Sequence, residues 1–290
     1  MRYGVVILPD RRWADGAARW QRAEELGLDH AWTYDHLSWR TLRDGPWMAA
    51  VPTLAAAALT TSAIGLGLLV ASPNFRHPVP FAKELVALDD LSGGRVVAGL
   101  GAGGTGWDAA VLGDPPWTAA ERTARFAEFV ALCDELLTHP DDVSFRGRFY
   151  SASEARNLPG CIHRPRLPFA VAAAGPRAMR VAVAAGQAWV TIGDPGRHVG
   201  IDEGVAVVAA QTALLEAACE AGGRDPATLD RIVVLGPCID QPTGSPEALA
   251  DAAGRLAAIG VTDLVVHWPR PDEPYAGDQH AFEAALAARP

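Results

Sequence analysis

The chain has 290 residues, of which 49% are hydrophobic, and it carries a formal net charge of -9 at pH 7. A chain of this length can bury one large core, and it fits either one barrel or two ordinary α/β domains. The acidic balance and the scattered arginines leave no basic patch for a phosphate backbone, so we expect no nucleic-acid partner.

The cysteine spacing and the amino-terminal sequence narrow the class further. No CxxC pair occurs and the histidines lack the spacing of a helical zinc motif, so we expect no metal and only inert thiols at Cys133, Cys161, Cys219 and Cys238. The amino terminus lacks a signal-peptide pattern, and no uninterrupted apolar run reaches the roughly 18 residues needed to span a bilayer. We therefore expect a cytoplasmic protein without a membrane span.

Short apolar runs alternate with helical patterns along the whole chain. The runs that predict strands are Tyr3–Leu8, His30–Thr33, Ala63–Val70, Arg95–Leu100, Phe169–Ala173, Ala188–Ile192, Arg231–Gly236 and Asp263–His267. The patterns that predict helices are Ala14–Leu26, Met48–Thr60, Val79–Leu91, Ala119–Leu137, Pro176–Ala185, Glu203–Ala221, Pro246–Ile259 and Asp278–Ala288. Strict alternation without a linker predicts an α/β fold, a (β/α)8 TIM barrel in a single domain over residues 1–290.

One connection is too long to be an ordinary loop. Thr138–Pro168 contains four prolines and a turn-forming run at 145–149. A loop insertion at a strand end of a barrel often lines or covers a substrate pocket, and a purely structural insertion is the alternative. A second break, Gly193–Gly200, follows the sixth strand and is predicted to form a mobile lip of the site.

The glycine-rich run after the fourth strand formally matches a dinucleotide-binding motif. Gly99–Gly104 reads GLGAGG, which fits GxGxxG directly after a strand. The residues that follow, Thr105–Asp108, are typical of a loop, whereas a Rossmann fingerprint opens a helix directly and belongs near a chain's first βα unit. We interpret the run as a loop in which backbone passes close to a flat ligand.

Two other strand ends carry residues with useful chemistry. Ala172–Arg177 leads into a helix whose free N–H groups would suit an anion, so it predicts either a phosphate cradle or a tight turn with a solvated arginine. Asp35 and His36 follow the second strand, with Trp39 three residues later. A histidine beside a carboxylate can transfer a proton near neutral pH, although such pairs also occur in ordinary loops.

Five segments, taken together, carry a family resemblance. They are Trp32–His36, Leu66–Pro78, Lys83–Arg95, Gly99–Gly103 and Ala174–Arg177, and the run LSGGR that ends at Arg95 is the most specific part. In this order they resemble the luciferase-like monooxygenase superfamily, and the resemblance extends through about Trp189.

The resemblance implies a redox enzyme. Members of this kind are barrels that bind FMN or coenzyme F420, often as homodimers, and the Asp-His pair after strand two is more similar to the F420 branch. The expected function is an F420-dependent oxidoreductase that transfers a hydride between the deazaflavin and a small organic substrate. The alternatives are an FMN-dependent monooxygenase served by a partner reductase, which supplies the reduced cofactor, and a non-catalytic flavin-binding barrel.

Carried over position by position, the resemblance also implies roles for single residues. Asp35 and His36 would be catalytic, and Trp39 and Asp108 would line the substrate pocket. The cofactor would be bound by Leu69, Val70, Ser72, Gly101, Ala102, Gly103, Trp107, Ala174, Gly175, Pro176 and Arg177, with a cis peptide near Leu69-Val70. The sugar-phosphate dehydrogenases of the family have a catalytic glutamate where this chain has Gly104, which disfavours that activity.

Overall fold

Eight parallel strands close into a barrel with the helices outside it. The computed structural model describes residues 1–113 and 115–289; Asp114 and Pro290 lie outside the described residues. Within that part the strands are β1 (Arg2–Val6), β2 (His30–Thr33), β3 (Gly65–Leu68), β4 (Val96–Leu100), β5 (Val143–Arg146), β6 (Ser151–Ala155), β7 (Phe169–Ala172), β8 (Ala188–Thr191), β9 (Asp230–Val234) and β10 (Asp263–His267). All except β5 and β6 belong to the barrel, and β1 pairs with both β2 and β10 to close it. The predicted (β/α)8 TIM barrel is confirmed.

The outer layer contains every predicted helix, each within two residues of its predicted bounds. Thr118 and Glu121 form a capping box at the start of the fourth helix, and Gly93 ends the third in the left-handed conformation. The helices are α1 (Trp13–Glu25), α2 (Ala50–Thr60), α3 (Pro78–Ser92), α4 (Ala119–Thr138), α5 (Pro176–Ala185), α6 (Ile201–Ala221), α7 (Pro246–Ala258) and α8 (Gln279–Ala287).

Large aromatic side chains fill the space between the helices and the barrel. Trp20 of α1, Phe81 of α3 and Trp189 of β8 are almost completely buried. The indole N–H of Trp189 donates to the carbonyl of Ala173 at 2.7 Å, which satisfies a donor that burial would otherwise leave unpaired. This close packing fixes the strands, and with them the positions of the loops at their carboxyl ends.

The long insertion is more ordered than the sequence indicates. Strands β5 and β6 pair as an antiparallel hairpin with an irregular register between Val143 and Phe145. The carboxylate of Glu128 on α4 accepts the backbone N–H groups of Arg148, Phe149 and Tyr150, which holds the turn against that helix. Since the insertion follows a helix and precedes a strand, it starts and ends at the amino-terminal face of the barrel.

A charged network ties together the strands at the amino-terminal face of the barrel. Asp263 of β10 accepts two hydrogen bonds from the guanidinium of Arg2 on β1, both at 2.7 Å, and contacts His30 Nε2 of β2 at 3.0 Å. Arg2 also contacts Asp230 of β9 at 2.6 Å. Burial raises the pKa of Asp263, but the hydrogen bonds from His30, Arg2 and Thr262 outweigh burial and lower it to about 2.

Because the folded-state pKa of Asp263 is depressed, its contribution is fully present above the unfolded-state pKa and is lost as the pH falls toward 2. Replacing Asp263 by asparagine should therefore lower the free energy of unfolding by about 2 kcal/mol or more at pH 7. The difference from the wild type should shrink between about pH 4 and pH 2. Urea unfolding at several pH values measures both quantities. Asp251→Asn, which removes an exposed carboxylate paired with Arg255, is the control and should change the free energy by less than about 0.5 kcal/mol.

Candidate active site

A cavity of about 600 Å³ opens at the carboxyl ends of the barrel strands. Its walls come from the segments after β2, β3, β4, β7, β8 and β9, so it gathers residues from most of the chain. The predicted site residues that line it are His36, Trp39, Leu69, Val70, Trp107, Asp108 and Ala174. This is the end of a TIM barrel at which active sites are built.

The central polar group of the cavity is a pair formed by His36 and Asp108. His36 Nδ1 is hydrogen-bonded to Asp108 Oδ2. The other carboxylate oxygen accepts the backbone N–H groups of Leu37 at 2.9 Å and Ser38 at 3.2 Å. Asp108 is only 5% exposed, and it lies in the short 3-10 turn at 107–109. An ionised Asp108 accepts the Nδ1 proton, which leaves Nε2 as the free basic nitrogen of His36.

Asp35, the other predicted catalytic residue, faces a different partner. Its carboxylate forms a two-point ion pair with Arg76, at 2.5 Å and 2.8 Å, and it does not line the cavity. Arg76 also contacts Glu84 of α3 at 2.7 Å. Through Arg76, Asp35 therefore ties the segment after β2 to the segment after β3 and to α3.

The floor of the cavity is apolar. The Leu69–Val70 peptide is cis, as the resemblance implies, and both residues line the cavity beside Ala172, Ala173 and Ala174. Ser72 is buried nearby, but it is not part of the lining. Small and branched apolar residues without charges suit the flat face of an aromatic ring.

The glycine-rich loop reaches the cavity with its second half. Gly104, Thr105 and Gly106 line the cavity, whereas Gly101, Ala102 and Gly103 precede the lining and direct the chain toward it. Gly103 has a φ of +73°, a left-handed conformation that favours glycine, and a Cβ there would lie 2.6 Å from Asn74 Oδ1 and would displace that side chain. The side-chain amide of Asn74 donates a hydrogen bond to the Gly104 carbonyl of this loop at 3.3 Å.

The start of α5 lies at the edge of the cavity. Ala174 lines it, and the N-cap residue Gly175 has no side chain to cap the free N–H groups of the helix. Pro176 occupies the first helical turn. Arg177 instead lines a groove between α4 and α5 on the outside of the barrel.

Sequence reasoning missed a buried polar cluster behind His36. The Tyr34 hydroxyl lies 2.7 Å from Nε2 of His267, whose Nδ1–H donates to the Leu235 carbonyl at 2.8 Å. Burial lowers the pKa of His267 to about 3, so its imidazole is neutral and accepts the Tyr34 proton. The Tyr34 ring stands edge-on to His36 at 6.0 Å. Tyr34 directly precedes Asp35 and His36 in the sequence, and this position is the one signal that could have placed it near the site.

Trp39 forms one wall of the cavity and is supported by two further aromatic rings. It is nearly parallel to Tyr275, with centroids 6.1 Å apart, and to Trp47, at 6.0 Å. The Trp47 indole N–H donates to the His36 carbonyl at 2.9 Å. The wall therefore also fixes the backbone that carries the histidine.

Of the two irregular segments predicted from the sequence, 138–168 and 193–200, only the second lines the cavity. None of residues 138–168 lines the cavity, so the expectation that this insertion covers the substrate pocket is wrong and the structural alternative holds. It is anchored elsewhere, for example by the Ile162 N–H, which donates to Asp89 of α3 at 2.6 Å. The second break does contribute, because Gly193 and Pro195 are part of the lining.

The remaining candidate features lie outside the cavity. Cys133, Cys161, Cys219 and Cys238 are buried and free. In residues 1–113 and 115–289 no group of three or more His, Cys, Asp or Glu could hold a metal ion. By length and composition α6 could cross a membrane, but in the fold it packs on the barrel through Val208, Leu215 and Cys219.

The chain is similar in sequence to several F420-dependent dehydrogenases. It is 34% identical over 189 residues to the F420-dependent glucose-6-phosphate dehydrogenase of Amycolatopsis mediterranei (strain U-32), covering 63% of this chain and 54% of the relative. It is 30% identical over 252 residues to the F420-dependent hydroxymycolic acid dehydrogenase of Mycobacterium tuberculosis (strain ATCC 25618 / H37Rv), covering 86% and 65%. The chain thus spans about half the length of the first relative.

Solved structures share the fold over nearly the whole chain. An F420-dependent secondary alcohol dehydrogenase in complex with an F420-acetone adduct superposes with a TM-score of 0.80 at 16% identity, covering 100% of this chain and 99% of that one. The F420-dependent tetrahydromethanopterin reductase of Methanopyrus kandleri gives 0.75 at 18% identity, covering 99% and 96%. A sequence model of the family described as luciferase-like monooxygenase matches residues 1–289. The chain therefore belongs to the luciferase-like monooxygenase family.

Proposed function

We propose that this single-domain barrel is an F420-dependent oxidoreductase that transfers a hydride between the deazaflavin and a small organic substrate. The observation that carries the proposal is the His36–Asp108 pair beside a flat apolar floor in one cavity. The named relatives support the choice of cofactor, since they are F420-dependent dehydrogenases.

The residues present fit a deazaflavin. The apolar floor of Leu69, Val70 and Ala172 to Ala174 offers a ring-sized surface, and the open N–H groups at the start of α5 suit a phosphate at its edge. Gly104 and Gly106 let the backbone of the loop come close to a ring that lies on the floor. We propose that these elements hold the cofactor, with Trp107 beside the loop and Gly101 to Gly103 positioning it.

We propose that His36 moves the proton of the reaction. When bound, the deazaflavin would supply the donor or acceptor of the hydride. His36 Nε2 accepts the hydroxyl proton as an alcohol is oxidised to a carbonyl compound, and it returns that proton in the reverse reaction. Asp108 keeps the proton of the neutral ring on Nδ1 and stabilises the imidazolium, in the place of the glutamate that Gly104 does not supply. Trp39 shields the reacting atoms from water, and Asp35 acts as a positioning residue through Arg76.

Titration of the purified protein with F420 and, separately, with FMN tests the cofactor. We expect micromolar or tighter binding of F420 followed by its reduction by secondary alcohols. Ala174→Glu, which places a carboxylate at the start of α5, should weaken F420 binding about ten-fold or more because it repels the phosphate. Ala184→Glu, on an exposed position of the same helix, should leave binding unchanged.

Other outcomes of the titration select the alternatives. Binding of FMN with oxygen consumption in the presence of a flavin reductase would favour the monooxygenase. Binding of either cofactor without turnover would favour the non-catalytic barrel, and binding of neither would contradict the proposed function.

We further propose a cytoplasmic homodimer without nucleic-acid or membrane partners. Leu59 at the end of α2 is 70% exposed, and Leu91 at the end of the neighbouring α3 and Ile162 beside Gly94 are exposed as well. These apolar side chains lie at one end of the barrel, away from the cavity, and a second copy would cover them. Sedimentation velocity would then report the mass of two chains, and a monomer at micromolar concentration would contradict the dimer.

A further inference from the structure

We propose that Arg40 binds a carboxylate of the substrate, so that the enzyme acts on hydroxy or oxo acids rather than on neutral alcohols or phosphate esters. This inference rests on the proposed function, and it names the substrate class of the same site.

Arg40 lies at the boundary between the active-site cavity and a second cavity. The second cavity has a volume of about 880 Å³ and is lined by the segments after β9 and β10. Trp39, Arg40 and Pro237 belong to the lining of both cavities. A substrate that reacts beside His36 can therefore extend past Trp39 to the boundary of the second cavity. Arg40 is the one arginine or lysine in the two described linings. Because Asp240, Glu273 and Asp278 also line the second cavity, a substrate carboxylate would be held at Arg40 itself and not deeper in that cavity.

The charge of Arg40 is not neutralised by a neighbouring carboxylate. Among residues 1–113 and 115–289 no Asp or Glu lies within salt-bridge distance of its guanidinium, whereas His198, which lines the same second cavity, is paired with Asp240. The guanidinium instead stands over the Trp39 ring, 5.1 Å from its centroid. Its charge also acts to lower the pKa of buried Tyr34 and Tyr275, although burial, which raises that pKa, has the larger effect. The positive field of Arg40 thus reaches into the wall of the cavity.

The backbone of Arg40 adopts a conformation that is locally unfavourable. Its φ is +44°, in the left-handed region that residues other than glycine, asparagine and aspartate rarely adopt. Such a conformation costs on the order of 1 kcal/mol, and it tends to occur where a side chain must be aimed at a ligand. The preceding Trp39 stacks with both Tyr275 and Trp47, and these contacts hold the backbone from which the Arg40 side chain extends.

The number of free charges favours a carboxylate over a phosphate monoester. A guanidinium matches either group with two parallel hydrogen bonds. A phosphate monoester carries nearly two negative charges at neutral pH and would require a second cation. The other basic side chain that lines the second cavity, His198, is already bound to Asp240 at 2.8 Å. One unpaired guanidinium therefore suits one carboxylate.

Calorimetric titration with two matched ligands, hexanoate and hexanamide, tests the inference on protein with and without F420. The wild type should bind hexanoate about ten-fold or more tightly than hexanamide, because a charge-assisted pair with Arg40 is lost in the amide. Arg40→Gln should abolish this preference and leave the affinity for F420 unchanged. Arg156→Gln, which removes an exposed guanidinium outside both cavities, should retain the preference within about two-fold. With 5-hydroxyhexanoate and its amide as substrates, the same ratios should appear in kcat/KM.

Several results would overturn the inference. They are a wild type that binds neither hexanoate nor hexanamide, one that shows no preference between them, and an Arg40→Gln variant that keeps the preference. An Arg40→Gln variant that instead loses affinity for F420 would assign Arg40 to the acidic groups of the cofactor. If the wild type binds no F420, the proposed function fails, while the ratio of the two affinities on the cofactor-free protein still decides the role of Arg40.

Discussion

Replacing His36 by asparagine should lower kcat for hydride transfer by about a hundred-fold or more while F420 still binds. Asp108 binds Nδ1 of His36, so in the proposed mechanism Nε2 transfers the proton, and general acid–base catalysis of this kind contributes about 10²–10⁴-fold. Asparagine can preserve a hydrogen bond to Asp108, but it cannot take up a proton at neutral pH. Steady-state kinetics with a secondary alcohol or hydroxy acid, together with a cofactor titration, measures both quantities.

The chain offers a matched control for this substitution. His163 is also paired with a buried aspartate, Asp89, at 3.1 Å, but this pair lies at the opposite end of the barrel. His163→Asn should leave kcat unchanged. If His36→Asn retains full turnover, or if both variants lose the same activity, the proton-transfer role of His36 is contradicted.

Asp108 provides an independent check on the same mechanism. In Asp108→Asn the side-chain oxygen can still accept from Nδ1 of His36, but the negative charge that stabilises the imidazolium is gone. We expect kcat to fall about ten-fold or more with little change in cofactor affinity. Asp35→Asn should act differently, because Asp35 pairs with Arg76, and its loss should lower stability and cofactor affinity together.

The fold followed from sequence because its signals are local. Strand-like runs such as His30–Thr33 and Asp263–His267 are largely apolar, and they alternate strictly with helical patterns, which is the order of elements in a parallel barrel. The hairpin of β5 and β6 was missed because its alternation is short and broken by turn residues, and because it is stabilised by Glu128 of α4. Its position at the amino-terminal face, however, follows from the order helix, insertion, strand.

The sequence predicted several residues of the cavity but not how they pair with one another. The resemblance brought His36, Leu69 and Val70 to one cavity, and the structure places all three in its lining. It could not show that His36 pairs with Asp108 rather than with the adjacent Asp35, since the pairing depends on how two loops 72 residues apart in sequence approach each other. Residues carried over from a motif therefore locate a site more reliably than they assign roles within it.

The floor of the cavity depends on a close approach between two neighbouring strands, and Gly99→Ala should disrupt it. A Cβ on Gly99 would overlap the carbonyl oxygen of Leu68 and would lie 3.0 Å from its carbonyl carbon and 3.4 Å from the Val70 side chain. Because the obstacle is backbone of the adjacent barrel strand, it cannot move aside as a flexible side chain could. We expect a loss of about 4 kcal/mol or more in the free energy of unfolding, measured by urea unfolding of the cofactor-free protein.

Gly254→Ala is the control, because the same substitution at this position should raise the free energy of unfolding instead of lowering it. Gly254 lies within α7, and a Cβ there meets nothing within 4 Å. Since alanine favours a helix more than glycine does, this variant should gain about 0.5–1 kcal/mol. A Gly99→Ala protein as stable as the wild type would mean that β3 and β4 can separate at this point. The floor on which the cofactor is proposed to lie would then not be rigidly positioned by the barrel.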